Sequence, residues 1–264
     1  MNLRILQSAN PNPTAFRRDN GTKTNGVHQT VNNKLEKTPS NDTFELSVGY
    51  VNDTHGQINN MMRILSGLKG DIKLSAGDND IGDEKNKAIH KATYKFLNIA
   101  DIKATALGNH EMDATQEDLI DSLQEYKGDI LTLNMSKDEL ETQAEKDIKE
   151  LGRDDLLKHI KPSKIIEVKG EKIGLVGTAP VDLLDRLTHP AYHTDCHVHP
   201  LEESIQDIQN EVNKLKEQGI NKIILLSHLG HKKDKAVAKG LLHKNTASRK
   251  KSALATLYNN TEAK

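Results

Sequence analysis

Tryptophan is absent from this 264-residue chain, and phenylalanine and tyrosine bring the aromatic share to only 3%. With hydrophobic residues at 35%, there is too little apolar surface to pack every segment, so part of the length is expected outside a core. Cys196 is the single cysteine. This excludes an intrachain disulfide framework and fits a reducing compartment. No apolar run approaches the roughly 20 residues a membrane helix needs. The N-terminus, Met1 to Ser8 followed by Asn10-Pro11-Asn12-Pro13, has no apolar stretch of the signal-peptide kind. No membrane span and a cytoplasmic location are therefore expected. Neither sign of charge prevails: 37 Lys+Arg stand against 38 Asp+Glu, so net charge points to neither a nucleic acid nor a membrane partner.

Residues 1–43 are rich in Asn, Thr, Pro, Lys and Arg without hydrophobic period, and are expected to be disordered. A domain is expected over 44–242. Phe44, Leu46 and Val48 alternate into a strand that ends at Asn52-Asp53. Ile58 to Leu65 reads as a helix, Ile72 to Ala76 as a strand, Lys87 to Leu97 as a helix and Ile102 to Leu107 as a strand. Thr115-Gln116-Glu117-Asp118 resembles a capping box opening a helix. Ile130 to Asn134 reads as one strand, 138–160 as a charged helical stretch, and 165–176 as a β-hairpin around Lys169-Gly170. Ile205, Ile208, Val212 and Leu215 mark an amphipathic helix, and Ile223 to Leu226 a last strong strand. Helices alternating with strands imply a layered α/β fold with a largely parallel sheet. Residues 243–264 read as a basic, disordered tail. Its lysines have no interleaved aromatics beyond Tyr258, so no nucleic-acid partner is expected.

The chemistry sits where the strands stop. Four apolar runs finish in Asn52-Asp53-Thr54-His55-Gly56, Gly77-Asp78-Asn79-Asp80, Gly108-Asn109-His110-Glu111 and Ser227-His228. The carboxyl ends of strands in an α/β sheet converge on one crevice. Carboxylate, amide and imidazole donors delivered there suit Mn, Zn, Fe or Co. Singly, each residue also reads as a turn, cap or core residue; their recurrence at successive strand ends carries the inference.

These motifs, with Gly108-Asn109-His110-Glu111-Met112-Asp113 and Ser227-His228-Leu229-Gly230, resemble the calcineurin-like metallophosphoesterases, in particular the 5′-nucleotidase branch. The resemblance covers roughly residues 44–240. It implies a phosphoric ester hydrolase acting on nucleotides with two divalent metal ions. Asp53 and His55 would hold one metal, Asp78 would bridge, and Asn109 and His228 would hold the second. His110 would stabilise the transferring phosphoryl group and Asp113 would orient it.

A family element of the form Gly-His-x-His is not found after His228, which makes the expected fold C-terminally incomplete. The alternative reading is a truncated, weak or inactive remnant, or one half of a split enzyme needing a partner polypeptide. A second cluster, His189, His193, Cys196, His197 and His199, is read as a polar surface loop beside the crevice, with Zn²⁺ binding as the competing reading.

Overall fold

The computed structural model describes residues 2–7, 44–81, 87–137, 156–187 and 196–242. In chain order the first half forms β1 (Asn2–Gln7), β2 (Glu45–Val51), α1 (Ile58–Gly67), β3 (Ile72–Ser75), α2 (Lys87–Ile99), β4 (Ala104–Ala106) and α3 (Gln116–Leu123). There follow β5 (Asp129–Leu131), β6 (Met135–Lys137), β7 (Ile160–Lys161), β8 (Ser163–Val168), β9 (Glu171–Thr178) and α4 (Leu183–Arg186). The chain continues through β10 (Cys196–Val198), α5 (Leu201–Glu217), β11 (Lys222–Ser227) and α6 (His231–Leu242). Among the described residues no helix is long and apolar enough to cross a membrane.

Six strands make one sheet in the order β1-β2-β3-β4-β5-β7, parallel throughout. A second sheet has the order β11-β9-β8, with β11 parallel and β8 antiparallel to β9. The sheets face each other across Leu46, Val48, Leu74, Ala104, Leu131, Ile173, Leu175 and Leu226. Helices cover the outer faces. Met61 and Leu65 of α1, Tyr94 and Leu97 of α2 and Leu119 of α3 join one core. Leu215 of α5 packs on Val176, while Ile208 packs with Leu229 and Val237. The result is a helix–sheet–sheet–helix sandwich, the layered α/β architecture expected. Apolar residues at period 2 on the inner strands and at period 3.6 on the helices can be buried together only in such layers.

Local chemistry explains several boundaries. Thr115 caps α3, its hydroxyl accepting from Asp118 N at 3.2 Å. Lys169 and Gly170 both have positive φ, 53° and 75°, which turns β8 into β9. The run Ile130 to Asn134 does not stay one strand. Beyond β5, Thr132 N donates to Lys161 O (2.8 Å) and Leu133 N to Gly177 O (3.0 Å). Asn134 then pairs with both backbone groups of Ala179, at 3.0 and 2.9 Å, and the chain starts afresh as β6.

Two further expectations are corrected. Residues 2–7 were placed in the disordered segment, but they form β1, paired from Asn2↔Glu45 to Gln7↔Tyr50. Leu3, Ile5 and Leu6 are too few to register as a period, and the strand exists by ladder bonding to β2. Cys196 and His197 lie not in a loop but in β10, paired antiparallel with β6; Cys196 is buried. Residues 8–43, 138–155 and 243–264, together with His189 and His193, lie outside the described residues.

Candidate metal centre

Four strands from the two facing sheets end at one rim. β2 runs into Asp53 and His55, β3 into Asp78, β4 into Asn109 and His110, and β11 into His228. Backbone hydrogen bonds lace the first two loops together: Asp53 N to Gly77 O (3.1 Å), His55 N to Asp78 O (3.0 Å) and Gly56 N to Asn79 O (2.8 Å). The lacing holds Asp53, His55 and Asp78 at φ of 52°, 48° and 50°. A left-handed conformation costs a non-glycine residue about 1–2 kcal/mol, so three in one place mark backbone bent to aim side chains. Gly108 admits this closeness, since a Cβ there would lie 2.1 Å from Asp78 Oδ1 and 2.4 Å from Asp78 N.

Asp78, 3% exposed, is the hub. Its Oδ1 accepts from His110 N at 2.9 Å. Its Oδ2 lies 3.1 Å from His228 Nε2 and 3.6 Å from His55 Nε2. Burial pushes the Asp78 carboxyl up, but His228 and His55 outweigh it and hold the group well below the usual carboxylate range. Burial draws the His228 imidazolium down, and Asp78 more than reverses this, placing it at about 9. Asp78 likewise raises the His55 imidazole against the effect of its burial. The ring of His228 is fixed from behind: Nδ1–H donates to the Ala76 carbonyl at 2.7 Å, which directs Nε2 at Asp78.

The donors fit a divalent metal. His55 Nε2 is buried without a hydrogen-bond partner. It faces Asp78 Oδ2 and, at 3.8 Å, Asp53 Oδ1. A buried imidazole nitrogen aimed at two carboxylates is satisfied by a cation between them. Two donor triads have their ligand atoms within 4.8 Å of one another: His55-Asp78-His110 and Asp53-Asp78-His228. They share Asp78 as the resemblance implies, but Asp53 falls with His228 rather than only with His55. Asn109, 7% exposed, adjoins them at the end of β4. His110 is held by Asp113, Nδ1 to Oδ2 at 2.8 Å. Its ring meets that of His55 edge-on, centroids 4.9 Å apart.

Glu111 was quoted in the motif without a role. The structure buries it at 3% exposure, with Oε2 accepting from Asp78 N (3.1 Å) and Gly108 N (2.9 Å). Its Oε1 accepts from Asn79 N (2.6 Å) and Asn79 Nδ2 (3.1 Å). Burial first, and the charge of Asp78 second, raise its pKa. It ties the β3 and β4 loops together beneath the donors. Asp80, buried beside it, is pushed up to about 8 by burial and by Glu111.

The 5′-nucleotidase of Diplobatis ommata is 34% identical over 166 residues, which is 60% of this chain and 26% of that protein. The human 5′-nucleotidase is 30% identical over 227 residues, 76% of this chain and 36% of that one. The solved NAD nucleotidase of Haemophilus influenzae superposes with a TM-score of 0.53 at 25% identity, covering 72% of this chain and 35% of that one. The chain thus spans between 26% and 36% of the length of these relatives. A family model described as ribosomal protein S20 matches residues 202–259. Within that stretch β11 pairs with β9 from Lys222↔Ile173 to Ser227↔Thr178, which builds this strand into the sandwich. The two facing sheets, the rim of donors and the aligned relatives together make the layered core of this chain similar to the N-terminal metallophosphoesterase domain of the 5′-nucleotidases.

Proposed function

We propose that the chain hydrolyses a phosphate ester of a nucleotide at this rim, with two divalent metal ions. The carrying observation is Asp78, whose carboxylate lies between the imidazoles of His55 and His228 and beside the Asp113-held His110. Asp53, His55, Asp78, Asn109 and His228 would hold the metals. When bound, such a pair supplies Lewis-acid polarisation of phosphoryl oxygens and a water of lowered pKa.

The chain's own residues do the rest. His110, with its ring 37% exposed against 10% for Asp113, faces the open side and offers a proton or a positive charge to a phosphoryl oxygen. Asp113 accepts from Nδ1, so the ring presents Nε2 outward in one tautomer. Glu111 and the interlaced loops keep Asp78 from moving as charge builds up.

The test is release of inorganic phosphate from a nucleoside 5′-monophosphate by the purified full chain with Mn²⁺, Zn²⁺, Co²⁺ or Fe²⁺. We expect turnover that is abolished in Asp78→Ala and reduced about 10²–10⁴-fold in His110→Ala. Metal-loaded protein without turnover on any nucleotide would overturn the reading. It would leave a metal-binding domain without this activity.

A further inference from the structure

We propose that His199, Glu203 and Asp207 form a separate mononuclear site for a zinc-class dication, bracing α5 against the β6–β10 ribbon. Their ligand atoms lie within 4.8 Å of one another. His199 Nδ1 is 2.6 Å from Asp207 Oδ2 and 3.6 Å from Glu203 Oε1. The two carboxylates are four residues apart on α5, on one helical face, and His199 stands just ahead of the first turn. One nitrogen and two carboxylate oxygens make a donor set for Zn²⁺, Co²⁺, Ni²⁺ or Mn²⁺ rather than for a soft or purely oxygen-seeking ion.

The far side of the imidazole is prepared for that role. His199 Nε2 lies 3.0 Å from Ser136 Oγ on β6. A serine hydroxyl accepts as readily as it donates. Without metal, Nδ1–H donates to Asp207 at 2.6 Å; a metal would replace that proton, and Nε2–H donating to Ser136 would then supply the outer hydrogen bond that orients a metal-ligating histidine. The backbone is pinned as well: His199 N donates to Asn134 O at 3.0 Å, and Ser204 Oγ donates to His199 O at 3.0 Å. Charge points the same way. The two carboxylates carry two negative charges, which a dication neutralises in full and a protonated imidazole only in half. The three side chains are 14%, 53% and 26% exposed in the order His199, Glu203, Asp207, so an ion reaches them from solvent on the Glu203 side. None of them belongs to the strand-end rim, so the site stands whether or not the chain hydrolyses nucleotides.

The test uses chelator-stripped full chain titrated with Zn²⁺ by calorimetry, with Co²⁺ absorption in parallel. Asp78→Asn serves as the background that disables the rim. In that background we expect one remaining equivalent of Zn²⁺ that raises Tm. Adding Glu203→Gln and Asp207→Asn, which preserve shape, should weaken that equivalent at least 100-fold and remove the rise in Tm. His199→Gln is the second variant, should the double change unfold the protein by circular dichroism, and the same loss is expected of it. Zn²⁺ stoichiometry unchanged by these substitutions, or no equivalent in the Asp78→Asn background, would overturn the site and leave an ion-paired histidine.

Discussion

Asp78 shows how one residue sets the properties of its neighbours. By ion-pairing with His228 it raises that imidazole to about 9, above the ordinary 6.5 of histidine. The folded state therefore favours the protonated ring. Its contribution is fully present below about pH 6.5 and is lost as pH rises through about 9. At about 1.4 kcal/mol per pKa unit, the contribution is on the order of 3 kcal/mol. Chelator-treated protein is expected to lose Tm steadily between pH 6.5 and 9, and His228→Gln to flatten that slope. An unchanged slope in the variant would remove Asp78–His228 from the account. A metal held at Nε2 would have to displace this proton, so metal affinity should weaken as pH is lowered. Asp113 gives a sharper kinetic prediction. Asp113→Asn keeps the side chain's shape but no longer favours Nδ1–H of His110. We expect kcat to fall about 10–100-fold with KM and bound metal unchanged; a rise in KM alone would assign Asp113 to substrate binding. Asp53, His55, Asp78, Asn109, His110 and His228 were legible in the sequence because each polar residue interrupts an apolar run. Glu111 was not, because its partners are the backbone amides of Asp78, Asn79 and Gly108 and the side-chain amide of Asn79, and sequence carries no mark for such contacts.

At the level of elements, the two sheets touch closely where β9 crosses β5. A Cβ on Gly177 would lie 2.1 Å from Leu131 O and 2.4 Å from Leu131 Cβ, atoms of a buried strand that cannot swing aside. Gly177→Ala is expected to lower stability by about 1–3 kcal/mol, the usual result of overpacking a filled core, or to prevent folding. Urea denaturation checks this, and a midpoint equal to that of the unchanged protein would show that the sheets can part. The inner strands were readable from their apolar runs, and the β8–β9 hairpin from Lys169-Gly170 between two such runs. The elements that escaped are those made by pairing rather than by pattern. β6 and β10 are three residues each and exist because Asn134 takes both backbone groups of Ala179 and redirects the chain. β1 pairs with the outer edge of β2, and Leu3, Ile5 and Leu6 are too short a run to announce a strand.

For the molecule as a whole, the rim joins what the layers keep apart. Asp53, Asp78 and Asn109 come from strands of the six-stranded sheet, whereas His228 follows β11 of the three-stranded one. Between the strands themselves the contact is mainly apolar, and the directed contacts across it gather at the strand ends, where Leu133 N donates to Gly177 O and His228 donates to Ala76 O. A metal held by Asp78 and His228 would add a further directed link across that boundary. At a free concentration 100 times its Kd, a ligand bound only by the folded form stabilises it by about 2.7 kcal/mol, about a 100-fold change in the opening equilibrium. Amides of β11, an edge strand of its sheet, exchange through such openings. Saturating Mn²⁺ is expected to slow hydrogen exchange at Leu225 and Leu226 by up to about that factor. Glu203→Gln and Asp207→Asn, present throughout, keep the separate α5 site out of the comparison. His228→Ala should abolish the slowing in β11 while leaving protection of β3 by metal at Asp78, His55 and Asp53. Equal protection of β11 with and without His228 would mean that metal does not couple the sheets through this histidine.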